Sequence, residues 1–270
     1  MAITEWADRW RALASHDLMT GSDGEERMVE RWRGLAARLD REQGMRPDPL
    51  FDFVTEKLTP EMTVIDVGAG VGRWTIPLAE RVRAVTAVEP VPGMRAVLQE
   101  RLDRRGVSNV GLVEEGWMEA DVPVHDVAVA VASMYTSADI VGFARKLEGC
   151  SSRWAMMVMR IAAFDGAIGE LSLAIHGEWH DSPNFVVGYN ALMEAGITPN
   201  VFIEDKPISY WADPTLEEAV ARAKRHLRLT NGDFDPLIRE TLGRRLTRTE
   251  TGYQWPDGMR SAVVWWAGRG

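Results

Sequence analysis

The chain has 270 residues, a formal net charge of -9 and a pI near 5.2, enough for one large domain or one domain with a sizeable appendage. Hydrophobic residues make up 46% and charged residues 26%, ordinary globular usage that excludes a disordered or fibrous chain. The acidic balance argues against a broad phosphate-binding surface, which needs clustered Lys and Arg, so no nucleic acid is expected among the partners.

The N-terminal "MAITEWADRWRAL" lacks the basic start and apolar core of a signal peptide, and no run of about 18 apolar residues follows. A cytoplasmic protein with no membrane partner is expected. Trp6, Trp10 and Leu13 recur at helical spacing after Thr4, a suitable N-cap. A second helix is predicted over 25–41, where Met28, Trp32, Leu35, Ala36 and Leu39 repeat the pattern behind the turn-rich "GSDG". "GMRPDP" then breaks the chain before a short helix over 50–58.

From Met62 the rhythm changes to short apolar runs, "TVIDV", "AVTAVE", "NVGLVEE", "HDVAVAVAS" and "RWAMMVMR", alternating with amphipathic segments. That is the pattern of a parallel sheet covered on both faces, whose buried strands need apolar residues on each side. Cys150, the single cysteine, falls between a helix end and the strand over 153–159 and reads as structural. After that strand come an irregular or helical excursion, a further helix and a strand in "TPNVFIEDK". Helices near 215–229 and 235–245 precede the last strand, "MRSAVVWWAG". The expected α/β organisation is an N-terminal helical extension over 1–58, a core over 59–205, a helical insertion over 206–258 and a final core strand over 259–270. An insertion of that length in a compact sheet is usually functional, often a lid.

The segment "VIDVGAGVGRW" ends a strand near Val67, carries glycines at Gly68, Gly70 and Gly72, and is expected to enter a helix at about Val71. Glycine permits positive φ and close approach of backbone N–H groups to a ligand at a helix start. A dinucleotide fingerprint reads G-x-G-x-x-G; here the register is G-x-G-x-G, and Arg73 stands where the third glycine belongs. NAD is therefore disfavoured.

With Asp66 ahead of the glycines and Glu89 closing "AVTAVEP", the segment instead resembles motif I and the following strand of the class I S-adenosylmethionine-dependent methyltransferases, over roughly 60–160. The resemblance implies a Rossmann-like, seven-stranded, mostly parallel sheet with its last strand antiparallel, and S-adenosylmethionine as cofactor. It implies that Glu89 binds both ribose hydroxyls, a task suited to a carboxylate with two acceptor oxygens. Asp66, Gly68, Ala69, Gly70, Gly72 and Pro90 would complete that part of the cofactor site. Glu115, Gly116 and Trp117, from "VEEGWME", would lie near the adenine, with the indole able to stack on it. Ala132 and Ser133 would reach the site from the fourth strand.

For the transfer itself, Tyr135 follows the fourth strand, where this family commonly meets substrate. His176 and His180 stand four apart in "LAIHGEWHD" as a base, substrate contacts or ordinary surface histidines; no third ligand is placed for a metal, and none is expected. Trp6, Trp10 and Trp32 would pack a core or enclose an acceptor. Arg222, Lys224, Arg225 and Arg228 in "ARAKRHLRL" form a solvated face or greet an anionic acceptor. The insertion's placement is similar to that in carboxyl methyltransferases of small acids. Methyl transfer to a small-molecule acceptor is thus expected, with a transferase-inactive S-adenosylmethionine sensor or partner subunit, and an NAD-dependent oxidoreductase, as the alternatives.

Overall fold

The computed structural model describes residues 5–14, 30, 33–34, 48–161, 166–177, 183–205, 211–256 and 260–270. The helix expected over 25–41, with Trp32, falls almost wholly outside the described residues, as does His180. A seven-stranded sheet organises the molecule. Its strands are β1 (Thr63–Val67), β2 (Ala84–Val88), β3 (Val110–Val113), β4 (His125–Val131), β5 (Ser151–Arg160), β6 (Asn200–Ile203) and, last in the chain, β10 (Ser261–Ala267). The order is β3-β2-β1-β4-β5-β10-β6. β10 runs antiparallel to both β5 and β6, while the other pairings are parallel. The expected Rossmann-like methyltransferase fold, with an antiparallel last strand, is the fold observed.

The apolar runs are continuous because the central strands are covered on both faces. Val127, Ala128, Val129 and Ala130 of β4 are all fully buried. On one face Ile65, Val67, Ala128 and Met157 pack beneath α1 (Trp6–Ala14), α5 (Ile140–Gly149) and α7 (Phe185–Glu194). On the other, Val64, Val127 and Met156 meet α2 (Pro49–Thr55) and α3 (Thr75–Ala79) through Leu50, Phe51, Trp74 and Leu78. α4 (Pro92–Arg105) starts on a proline, suited to the first helical turn, and ends on Gly106 at φ 65°, a left-handed cap.

α6 (Ala167–His176) is the helix within the expected excursion, ended by Gly177 at φ 73°. It joins α8 (Leu216–His226) and α9 (Asp235–Arg245) in a separate apolar cluster built on Leu171, Ala223, Ile238, Leu242 and Trp255. Thr215 caps α8 by accepting from the Glu218 N–H at 3.2 Å. A second, small antiparallel sheet, β7-β9-β8, was not expected there: β7 (Ala212–Asp213), β8 (Thr247–Thr249) and β9 (Gly252–Gln254) are too short to show a period of two.

The helix expected at Val71 begins only at Thr75 and holds five residues. Gly68, Gly70 and Gly72 sit at φ 72°, 56° and 83°, a conformation that cannot propagate a right-handed helix, so the turn runs on through Trp74. No helix among the described residues is long and apolar enough to cross a membrane.

Candidate functional site

Strand order reverses between β1 and β4, with β2 and β3 on one side and β5 on the other. In open α/β sheets the crevice at the carboxyl ends of such strands is where ligands bind. The glycine turn lies there. Gly68 and Ala69 donate their backbone N–H groups to Val88 O at 2.7 and 3.1 Å, tying the turn to the end of β2. Gly70 N–H donates to Glu89 Oε2 at 2.8 Å, and Val91 N–H to Glu89 Oε1 at 2.9 Å. Each carboxylate oxygen keeps acceptor capacity beyond that one bond. Burial pushes the Glu89 carboxyl up, against the pull of the Val91 and Gly70 N–H groups and the Arg95 charge.

The glycines divide the work. A Cβ on Gly68 would collide with Ser133 Cβ, whereas one on Gly70 meets nothing within 4 Å. Gly70 therefore borders open space beside the Glu89 carboxylate, and a nucleoside sulfonium fits this cradle: a diol partner at Glu89, with backbone free of side chains next to it. Ser133 Oγ donates to Val67 O at 2.6 Å, clamping the end of β4 onto that of β1. Just before it, Ala132 is exposed with φ 55°, a left-handed conformation that costs a non-glycine residue about 1–2 kcal/mol.

Asp66 is fully enclosed and accepts from Thr75 Oγ1 at 2.6 Å, so it holds the start of α3 to β1. Burial raises its pKa to about 6. An unfolded Asp ionises near 3.9, so between those values the folded state keeps a proton that the unfolded chain has lost. Stability falls as pH rises through that window, by about 3 kcal/mol in all. Asp66→Asn is expected to remove this slope, read by denaturant unfolding at pH 4.5 and 7.

Two arginines that the sequence did not single out brace the rim. Arg95 donates to Glu89 O at 2.9 Å, Pro90 O at 2.7 Å and Glu114 Oε2 at 3.0 Å, linking the loops after β2 and β3. The buried Arg101 donates to Val71 O. Glu115 is exposed and Gly116 half-buried. Trp117 is 6% exposed, its Nε1 donating to Phe143 O at 3.3 Å and its ring covered by Lys146 Nζ, 4.9 Å from the centroid. The indole expected to stack on adenine is thus engaged in packing against α5.

At the end of β4, Tyr135 Oη accepts from Arg160 N–H at 2.5 Å. The Arg160 guanidinium lies 5.9 Å from the Tyr135 centroid, and the Trp10 ring stacks at 6.1 Å with a 24° interplanar angle. Trp10 is fully buried and donates Nε1–H to Ser137 O at 2.8 Å, so α1 is seated against this side of the site. His176 Nε2 instead pairs with Leu227 O at 3.1 Å, joining α6 to the end of α8. Arg73 Nη2 bonds Asp48 Oδ2 at 2.9 Å, tying the turn to α2. No group of three or more His, Cys, Asp or Glu that could hold a metal occurs among the described residues.

A family model described as ribosomal RNA adenine dimethylase matches residues 53–143, from α2 to the first part of α5. A probable ribosomal RNA small subunit methyltransferase A of Methanosarcina acetivorans is 33% identical over 87 residues, 32% of each chain. An rRNA adenine N-6-methyltransferase of Saccharopolyspora erythraea is 30% identical over 124 residues, 39% of this chain and 32% of that one. The chain thus spans about a third of the length of these curated relatives. The YcgJ protein of Bacillus subtilis shares the fold at a TM-score of 0.56 and 16% identity, over 82% of this chain and 99% of that one.

These findings correct two expectations. A small-molecule acceptor and the absence of nucleic acid are both overturned by the curated relatives, which are named as ribosomal RNA methyltransferases. The net charge misled because it sums the whole surface, whereas nucleic-acid binding depends on where the cations gather. Residues 53–143 thus resemble a ribosomal RNA methyltransferase family, and the chain has the class I, Rossmann-like methyltransferase fold.

Proposed function

We propose that the chain transfers a methyl group from S-adenosylmethionine to RNA, with the exocyclic amine of an adenine as acceptor. The observation that carries this reading is the match of residues 53–143 to ribosomal RNA adenine dimethylase, a span containing the glycine turn, Glu89, Ser133 and Tyr135. On this reading Glu89 accepts from the two ribose hydroxyls, and the turn from Gly68 to Gly72 lets the backbone approach the cofactor's amino-acid end. Asp66 holds that turn through Thr75, Pro90 and Glu115 with Gly116 border the nucleoside, and Ala132 and Ser133 form the wall between cofactor and acceptor. His176 serves the frame of the insertion. Residues 1–58 cap the core of 59–205, 206–258 flank the acceptor side, and 259–270 close the sheet. RNA as substrate implies a cytoplasmic location.

The bound cofactor supplies a sulfonium methyl activated for in-line displacement. The protein's part is then to orient the acceptor and exclude water, which provide most of the acceleration in such a transfer. Tyr135, held by the Arg160 N–H and by Trp10, is rigid enough to set the acceptor's position. A base can reach the methyl only after leaving its stack, so an aromatic wall offsets part of the unstacking cost.

The test is transfer of tritium from methyl-labelled S-adenosylmethionine to ribosomal RNA, followed as RNase-sensitive counts. Tyr135→Ala is expected to lower kcat/KM for RNA about 10- to 100-fold, the worth of a base–aromatic contact, with cofactor affinity unchanged. Absence of any RNase-sensitive label with the wild-type protein contradicts the reading.

A further inference from the structure

The segment "EPVPGMR" carries the chain from β2 into the first turn of α4. Val91 stands at the N-cap and makes no side-chain cap bond, so the conformation of this turn is set by its neighbours. Glu89 takes the Val91 N–H on Oε1 at 2.9 Å. Arg95, from the first turn of α4, reaches back to the same loop: its Nη1 donates to Glu89 O at 2.9 Å and to Pro90 O at 2.7 Å. Pro90 C=O and Val91 N–H belong to one peptide unit, which is planar. Fixing that carbonyl therefore fixes where the Val91 N–H points. Since this N–H holds one oxygen of Glu89 and Gly70 N–H holds the other at 2.8 Å, the guanidinium governs one of the two bonds that set the carboxylate plane.

The contacts of Arg95 differ in weight. Its side chain is 14% exposed, whereas that of Glu114, its ion-pair partner at 3.0 Å, is 74% exposed. An ion pair to so exposed a carboxylate contributes little. The bonds from the sheltered guanidinium to two carbonyls are charge-assisted and held in a rigid fork. The Arg95 charge also bears on Glu89, opposing the upward push of burial on that carboxyl. The other charged groups about Glu89 are Asp66 on β1, which feels the Glu89 charge, and Glu114, reached through Arg95. The glycine turn presents only backbone N–H to it, because Arg73 is turned to Asp48.

On the reading that Glu89 grips the ribose diol, on which this inference rests, we infer that Arg95 is a positioning residue of the cofactor site. Through the Pro90–Val91 peptide it orients the carboxylate for the two ribose hydroxyls, and through Glu114 it ties that grip to the loop bordering the base. A binding group works at full strength only when its supporting contacts hold it to within a fraction of an ångström. Arg95 supplies that support before the nucleoside arrives, which lowers the cost of ordering the site on binding.

The experiment is calorimetric titration with S-adenosylhomocysteine and with adenosine, which has the ribose and base but no amino-acid end, from about pH 8 to about pH 5. Arg95→Ala is expected to weaken both ligands about tenfold, the lower end of what a charged hydrogen bond contributes. Glu114→Gln should cost less than about fivefold, as an exposed pair does. Arg104→Ala, at the other end of α4 and paired with Glu100 at 2.5 Å, should change neither affinity. Acidification weakens binding as Glu89 takes up a proton. In Arg95→Ala this loss should set in at higher pH than in the wild type, because the charge favouring the carboxylate is gone. Asp66, titrating near 6, is common to all the proteins compared. Arg95→Lys keeps the charge without the planar fork, and should restore the wild-type midpoint while regaining only part of the affinity. Arg95→Gln removes the charge but keeps a donor, and its raised midpoint carries the test if the alanine variant does not fold. Wild-type affinity in Arg95→Ala, or weakened affinity with an unmoved midpoint, would overturn the positioning role while loss of binding in Glu89→Ala keeps the ribose reading. If Glu89→Ala also binds as the wild type does, both fall.

Discussion

Glu89→Ala is expected to weaken S-adenosylmethionine binding by about 1.5–3 kcal/mol, the range for hydrogen bonds to a charged group. The carboxylate is held between the glycine turn and the loop after β2 by Gly70 N–H and Val91 N–H, at 2.8 and 2.9 Å. That arrangement fixes its plane before any ligand arrives, so the lost interaction includes preorganisation as well as contact. S-adenosylhomocysteine has the same ribose and should lose the same amount. Glu89→Gln retains one acceptor oxygen and should fall between the two. Calorimetric titration of each variant with both nucleosides provides the reading, and unchanged affinity in Glu89→Ala would remove the ribose assignment.

Gly68→Ala should destabilise the fold by about 2–4 kcal/mol, combining the left-handed backbone with overpacking. The backbone stands at φ 72°, and the added Cβ would collide with Ser133 Cβ, where the Ser133 hydroxyl is already committed to Val67 O. Gly70→Ala shares the positive φ but meets nothing within 4 Å, so its cost to the empty protein should be only about 1–2 kcal/mol. Its larger effect should fall on cofactor affinity, because the new methyl enters the space beside Glu89. Denaturant unfolding separates the two variants; equal destabilisation would show that packing against Ser133 does not govern the turn.

Much of this was legible in the sequence because it depends on local pattern. The run "VAVAVA" reads as a strand covered on both faces, and β4 has that environment. Glu89 was legible from its place at the end of β2, and the geometry puts its carboxylate against Gly70. The start of α3 was misplaced because an apolar residue after a glycine resembles a helix start, while the positive φ of Gly72 shows only in three dimensions. Trp117 looked like a stacking platform because its burial depends on Phe143 and Lys146, which sequence spacing does not bring near. Arg95 and Arg160 were overlooked for a related reason. A lone arginine carries no local signal, and Arg160 acquires meaning only when β5 brings it to Tyr135. The acceptor was misjudged from a global charge, although the basic run of α8 had been visible as a local exception.

The central claim is methylation of an adenine amine in RNA, and nucleoside analysis by mass spectrometry tests it most directly. Ribosomal RNA lacking base methylation is incubated with the purified protein and S-adenosylmethionine, digested to nucleosides and resolved. The account predicts methyladenosine bearing the new group on N6, formed by the wild type and strongly reduced in Glu89→Ala and Tyr135→Ala. RNA recovered without any new methylated nucleoside, from a protein that binds S-adenosylmethionine in the same buffer, would contradict it.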